Sequence, residues 1–285
     1  MAKIIATTSS LDCIAILLNT ETNQIKEIPS QAGQDCSGCD NSQSVHRPFG
    51  ITWNEENIFI ANRKALLIFD KQFNWIDRID VLDENTHQIS IFGDKIIACM
   101  TRKDCISIID PKTKSIEMFH PEKGWGENFP TLPDKKYSEF CNERRHINSL
   151  NISGDSIYFL MNFPSVFVKL NIKSGLVEKN IDSGFNFCHG ILLDEGVHTL
   201  SCDGEILNEK RLDGFFARGL AGTKSNPITG HSRRGVRDKR SQGSSFVSFK
   251  GGSFRLPHGS INDIRLIDKE DKAHSNPHDF PYMWV

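Results

Sequence analysis

Histidine heads five short β-prone runs in this chain: His46-Arg-Pro-Phe-Gly-Ile, His87-Gln-Ile-Ser-Ile, His146-Ile-Asn-Ser-Leu, His189-Gly-Ile-Leu-Leu and His258-Gly-Ser-Ile-Asn. Neutral imidazole is the commonest metal ligand among side chains, and three or four imidazoles around an open position make a Lewis-acid or oxygen-activating site. The expected cofactor is therefore one divalent transition metal (zinc, iron or copper), held by some of His46, His87, His146, His189 and His258. Their alternative role is to fill a polar channel. His120, His198, His231, His274 and His278 fall outside the repeating phase. The nearest acids to the five are Glu84, Glu143 and Asp263, and Asp263 either orients a histidine or pairs with Arg265.

Arginine takes the place of histidine in one further run, Arg218-Gly-Leu-Ala, and recurs at Arg63 and Arg102 in hairpins expected beside the histidines. A guanidinium binds carboxylate, phosphate or sulfate through two parallel hydrogen bonds, so Arg218, Arg63 and Arg102 are the candidate catalytic residues and an anionic small molecule is the candidate substrate. Ordinary surface arginines are the competing reading. Cys36-Ser-Gly-Cys39 has zinc or redox spacing but lacks a second pair or a βαβ context, and reads as a loop with two thiols.

The elements that carry these residues repeat. After His46 come Asn57-Ile-Phe-Ile-Ala, Leu66-Leu-Ile-Phe-Asp and Trp75-Ile-Asp-Arg-Ile; after His87 and His146 the same order of short runs returns. Successive starts lie 41, 59, 43, 29 and 40 residues apart. That is near the ~40–45 residues of a four-stranded propeller blade, apart from one long and one short interval. The expected fold is all-β: one six-bladed β-propeller domain over residues 1–285, with five or seven blades as the alternatives, whose ring closes by pairing N-terminal strands with the strand after His258. Pro121 to Glu143 reads as an excursion over one face, and Ser225 to Ser245 as a solvated basic loop or an anion-binding lid.

A formal net charge of −2 supplies no field that would gather nucleic acid or an anionic membrane. No run approaches the ~20 apolar residues of a membrane span, and the N-terminus lacks a secretory pattern, so a cytoplasmic protein with reduced thiols is expected.

With the blades laid out, the sequence resembles a family of uncharacterised bacterial propeller-like proteins. The likeness rests on His46-Arg-Pro-Phe-Gly-Ile, Ile60-Ala-Asn-Arg-Lys, Asn85-Thr-His-Gln-Ile, His146-Ile-Asn-Ser-Leu, Arg218-Gly-Leu-Ala and Asn262-Asp-Ile-Arg-Leu-Ile-Asp, across most of residues 40–275. More distantly it is similar to NHL-repeat propellers, which include peptide-amidating lyases that hold zinc with channel histidines; the resemblance implies architecture only, because those enzymes are secreted and disulfide-bonded. Arylsulfate sulfotransferases combine a propeller with a metal-free histidine nucleophile, which sets the rival chemistry. A non-catalytic interaction scaffold is the third reading.

Overall fold

The computed structural model describes residues 2–10, 13–30, 48–62, 65–80, 86–119, 145–162, 165–185, 188–202, 205–206, 209–210, 215–234, 243–257, 259–268, 270–274 and 276–282. Their strands form a β-propeller. The first sheet contains β1 (Lys3–Ser9), β2 (Cys13–Asn19) and β3 (Gln24–Pro29). The second is β4 (Pro48–Trp53), β5 (Ile58–Asn62), β6 (Ala65–Phe69) and β7 (Trp75–Asp80). The third is β8 (Thr86–Phe92), β9 (Lys95–Met100), β10 (Cys105–Ile109) and β11 (Ile116–Phe119). The fourth is β12 (Ile147–Ser153), β13 (Ser156–Asn162), β14 (Ser165–Asn171) and β15 (Val177–Asp182). Then come β16 (Cys188–Leu193), β17 (Val197–Ser201), β18 (Glu205–Ile206) and β19 (Glu209–Lys210). The last blade is β20 (Phe215–Thr223), β21 (Asn226–Arg233), β22 (Ser245–Phe249) and β23 (Gly252–Leu256), followed by β24 (Ser260–Leu266).

Among the described residues five sheets are complete four-stranded blades, which corrects the expected six. Between the fourth blade and the last lie only the two-stranded sheets β16–β17 and β18–β19. The reason is chain length. The 29 residues from His189 to Arg218 fall short of the ~40–45 of a full blade, and those of them that are described form the hairpin β16–β17 and the pairing of β18 with β19. β16 nevertheless keeps its place on the axis. The inner strands pack in a closed circle, β4 on β8, β8 on β12, β12 on β16, β16 on β20, β20 on β24 and β24 on β4.

Closure joins the chain's two ends, since β24 is antiparallel to β1, with Ile4 opposite Leu266 and Ser9 opposite Ser260. Ser225 to Ser245 is corrected too: Asn226–Arg233 is strand β21, paired with β20 from Thr223↔Asn226 to Phe215↔Arg233. Its Pro and Gly hide the strand pattern.

Stacked blades explain the burial gradient. All six residues of β4 are buried, because an inner strand is covered on both faces, whereas only Ile28 of β3 and Val177 of β15 are buried in those outer strands. Apolar side chains form layers between adjacent blades. Ile5, Leu17 and Ile28 meet Ile51, Ile60 and Leu67 in one; Ile97, Cys99 and Ile106 meet Leu150, Phe159 and Val168 in another.

Beyond β24, the segment 267–282 turns back across the face where the inner strands end. Leu193 N donates to Lys272 O (2.9 Å), Lys272 N to Gly222 O (2.8 Å), and the indole of Trp53 to His278 O (2.9 Å). Phe280 stands edge-on to Trp53 at 4.8 Å. The opposite face is where the inner strands begin.

Deleting residues 1–20 removes the partner of β24 and should abolish cooperative unfolding in a denaturant titration. A truncated chain that melts like the full protein would show that the β1–β24 pairing does not close the ring.

Candidate functional site

Each inner strand carries a β-bulge near its start. The register shifts between Pro48 and Ile51, Thr86 and Ile89, Ile147 and Ser149, His189 and Ile191, and Ala217 and Leu220, and between Asp263 and Ile261 opposite Thr7 and Thr8. A bulge adds a residue, twists the strand and re-aims side chains. Here it turns a residue pair from every inner strand toward the axis. The equivalent triplets are Phe49-Gly50-Ile51, His87-Gln88-Ile89, Asn148-Ser149-Leu150, His189-Gly190-Ile191, Arg218-Gly219-Leu220 and Asn262-Asp263-Ile264. Their aliphatic third members are buried between blades, and the first two positions surround a central cavity. Close approach dictates one of the glycines: a Cβ on Gly50 would sit 2.5 Å from Ile89 N.

About 20 Å³ of this cavity is open to the centre of a water-sized sphere. Since one water needs roughly 10–15 Å³ on that measure, the space suits a water, an ion or the charged end of a larger molecule.

The rings of Phe49, His87 and His189 line the cavity, and His146 and Phe216 stand against them. Phe49 and His87 stack at 4.9 Å between centroids, and His146 stands edge-on to His87 at 5.5 Å. Across the axis Phe216 meets His189 edge-on at 5.6 Å and lies 5.1 Å beneath the guanidinium of Arg218. The Nε of Arg218 is 3.2 Å from Nε2 of His189, whose Nδ1 lies 2.7 Å from Nδ2 of Asn148.

His146 is held in the left-handed backbone region (φ 52°), a conformation uncommon for residues with a side chain. Asp104 fixes it there by accepting the backbone N–H of Arg145 (3.1 Å) and of His146 (2.8 Å). Strain retained against such a cost is a feature of functional sites.

Below the mouth is a buried charged cluster. Asp263 takes Nε of Arg265 at 3.1 Å and Nη2 at 3.0 Å, together with the Ile51 N–H (3.2 Å) and the Gln88 amide (3.2 Å). Nη2 of Arg265 also reaches Ile89 O at 2.6 Å, and Leu150 N donates to the Gln88 oxygen at 2.8 Å. His274, from the returning segment, has Nε2 at 2.9 Å from Leu220 O and 3.5 Å from Asp263 Oδ1. Burial and then the positive Arg265 push its pKa well below the ordinary imidazole value, so it is neutral and Nε2–H donates to Leu220 O. Burial raises the Asp263 carboxyl while Arg265 pulls it down. Asp263 does pair with Arg265, but in the buried interior and not at a strand surface, and the histidine that approaches it, His274, is outside the repeating phase.

Of the sequence-predicted residues, His87, His189 and Arg218 occupy equivalent bulge positions. His146 lies two residues ahead of its strand's bulge residue, Asn148, yet reaches His87. Arg102 lies in the 3-10 turn Thr101–Lys103, half-buried, at the end of β9 that faces the start of β8. His46, Arg63, His258, Cys36 and Cys39, and the whole excursion from 121 to 143, lie outside the described residues. Among the described residues no three His, Cys, Asp or Glu side chains gather as metal ligands. Sequence reasoning missed Phe49, Asn148, Gln88 and Asn262. The signal was present in the sixfold recurrence of a variable residue, a small or polar residue and Ile or Leu, which marks the bulge better than histidine does.

No protein-family model matches this chain. No curated protein matches it either. Solved structures do. One is a nidogen/laminin complex, with a TM-score of 0.58 at 7% identity over 93% of this chain and 98% of that one. A protein of unknown function from Bacteroides caccae aligns at TM-score 0.44 and 10% identity over 94% of this chain and 100% of that one. A catalytically inactive virginiamycin B lyase from Staphylococcus aureus, solved with quinupristin, aligns at 0.46 and 11% over 85% and 72%. At these identities the likeness is one of fold. Among the described residues no helix is long and apolar enough to cross a membrane.

His274 contributes to the pH dependence of stability with one sign, and Asp271, whose carboxyl burial pushes up to about 7, contributes with the opposite sign in the same range. The unfolded imidazole, near 6.5, gains a proton as pH falls while the folded one does not, so stability present above that value is lost below it, by up to about 1.4 kcal/mol per pH unit. Chemical denaturation between pH 7 and pH 5 should show a smaller slope for His274→Gln than for the wild type; identical slopes would contradict a neutral buried His274.

Proposed function

We propose that this propeller is an enzyme that takes a small anionic molecule, or the anionic end of a larger one, at the mouth of its central channel. Arg218 binds the negative group, and the adjoining imidazoles of His189, His87 and His146 move a proton in lyase or hydrolase chemistry. The observation that carries the reading is the contact between Arg218 and His189 beside a cavity large enough for an ion. A guanidinium and an imidazole in a space shielded from water interact with an anion more strongly than the same groups would in bulk solvent.

The segment 267–282 and the charged cluster fill the far end of the channel, so substrate enters and product leaves at the face where the inner strands begin. Arg63 and Arg102 are proposed to orient parts of the substrate outside the cavity. No nucleic-acid or membrane partner enters this reading, and a cytoplasmic location is part of the same proposal.

Anions should raise the melting temperature of the full chain. Formate, acetate, phosphate and sulfate form the panel, and a ligand at about one hundred times its Kd adds about 2.7 kcal/mol, a shift of several degrees. Arg218→Ala should remove the shift. If no anion on the panel shifts the wild type, the anionic substrate is wrong.

A second reading is favoured by the approach of His87 and His146 to 5.5 Å between centroids. In it these two imidazoles bind one divalent transition metal (zinc, iron or copper), with His46 or His258 completing the set and the metal acting as Lewis acid. Elemental analysis of protein purified without a histidine tag should then find one metal per chain, falling sharply in His87→Ala and His146→Ala and unchanged in His198→Ala. No transition metal after aerobic and anaerobic purification would dismiss it.

A further inference from the structure

Asn262 occupies the first bulge position on β24, and its amide is oriented by its own bonds. Nδ2 donates one hydrogen to Pro48 O at 2.6 Å and the other to Ser9 Oγ at 2.9 Å. A flipped amide would set its oxygen against the Pro48 carbonyl, so the nitrogen lies on that side and Oδ1 on the other. Asn262 lines the central cavity, and among the described residues no donor meets its Oδ1. An amide oxygen has two lone pairs, and both are left for a ligand.

Other side-chain oxygens around the cavity already hold donors. Gln88 takes Leu150 N–H at 2.8 Å, Asn148 the Ser149 hydroxyl at 3.0 Å, Ser149 the Gly190 N–H at 2.7 Å, and Asp263 the Arg265 guanidinium at 3.1 Å. Asn262 also has a particular neighbour. Strand β20 packs on β24, and Gly219 (φ 79°) lets their bulges close up: a Cβ there would lie 2.9 Å from Cγ1 of Ile264 and 3.1 Å from its backbone nitrogen. Arg218 and Asn262 precede this contact at equivalent positions and both line the cavity. The cavity thus sets a guanidinium next to an open neutral acceptor.

We propose that Asn262 reads a hydroxyl on the carbon next to the anionic group, so that the ligand of this cavity is an α-hydroxycarboxylate. Arg218 takes the carboxylate, and Oδ1 of Asn262 accepts a hydrogen bond from the hydroxyl. The inference rests on reading this pocket as an anion site and narrows the class of anion. An amide oxygen suits the task because it accepts a hydrogen without adding a negative charge beside the carboxylate. An ammonium at the same place would also offer hydrogens, but it would stand next to the guanidinium of Arg218, and like charges at that range repel. Asn262 is a specificity-determining residue, and no proton is transferred to it.

Calorimetric titration of the full-length protein at neutral pH with glycolate, acetate, methoxyacetate and glycine tests the assignment. Glycolate differs from acetate by the hydroxyl and should bind about three- to tenfold more tightly, the worth of one hydrogen bond. Methoxyacetate keeps the oxygen without its hydrogen and should bind no better than acetate, and glycine should bind more weakly than glycolate. In Asn262→Ala the preference for glycolate over acetate should vanish. Both ligands are compared on the same variant, so any stability lost with the Pro48 bond leaves the ratio intact; should the variant not fold, the wild-type comparisons decide. Equal binding of glycolate and acetate, methoxyacetate matching glycolate, glycine surpassing it, or a preference that survives in Asn262→Ala overturns the hydroxyl reading alone. Failure of both glycolate and acetate to bind the wild type overturns it together with the anionic reading of the pocket.

Discussion

The structure depends on a charged pair buried at its axis. Arg265 is among the largest fully buried side chains of the protein, and Asp263 beside it is 2% exposed. Removing two charges from water offsets most of their mutual attraction, so the pair adds little net stability of its own, while loss of one partner from such a pair costs about 3–5 kcal/mol. Its consequence is geometrical. Through Ile51 N, Gln88, Ile89 O and Leu150 N the pair ties β24 to β4, β8 and β12, and His274 extends the connection to Leu220 on β20. Apolar layers alone would tolerate sliding of one blade against the next. Directional hydrogen bonds to named backbone atoms do not.

The same network decides where chemistry can occur. It fills the channel below the bulges, and the returning segment covers that end. Polar groups in the bulge layer are largely committed to neighbouring strands: Asn262 bonds Pro48 O at 2.6 Å, Ser149 bonds Gly190 N, and Asn148 bonds Cys188 O. These bonds position the layer and make it rigid. Arg218, His189 and His87 stand in that layer, and His146 reaches His87 from two residues ahead of Asn148.

The shortened sector has a place in this arrangement. β16 supplies His189 and Gly190 to the ring from an interval shorter than a full blade. Leu192 and Leu200 of the short sheet pack with Ala217 and Leu220 of the next blade and with Ala273 of the returning segment. Part of the burial that outer strands supply elsewhere comes here from the segment that closes the channel.

Much was legible in the sequence. Short β-prone runs at blade spacing determined the all-β propeller, because strand periodicity and turn chemistry are local. The pairing of the chain's ends followed from strands left over at each terminus. Tertiary structure decided the rest. A histidine's position in a run does not reveal the bulge that aims it, and one extra residue reverses which side chains face the axis. His87 and His189 therefore share equivalent places while His146 arrives from two residues away, and Asn148, hidden inside its run, lies 2.7 Å from Nδ1 of His189. Asp263, Arg265, Gln88 and His274 could be named from the sequence as polar residues near strands. That they meet at one point reflects the convergence of separate strands and the returning segment on a common axis, and that convergence depends on long-range packing.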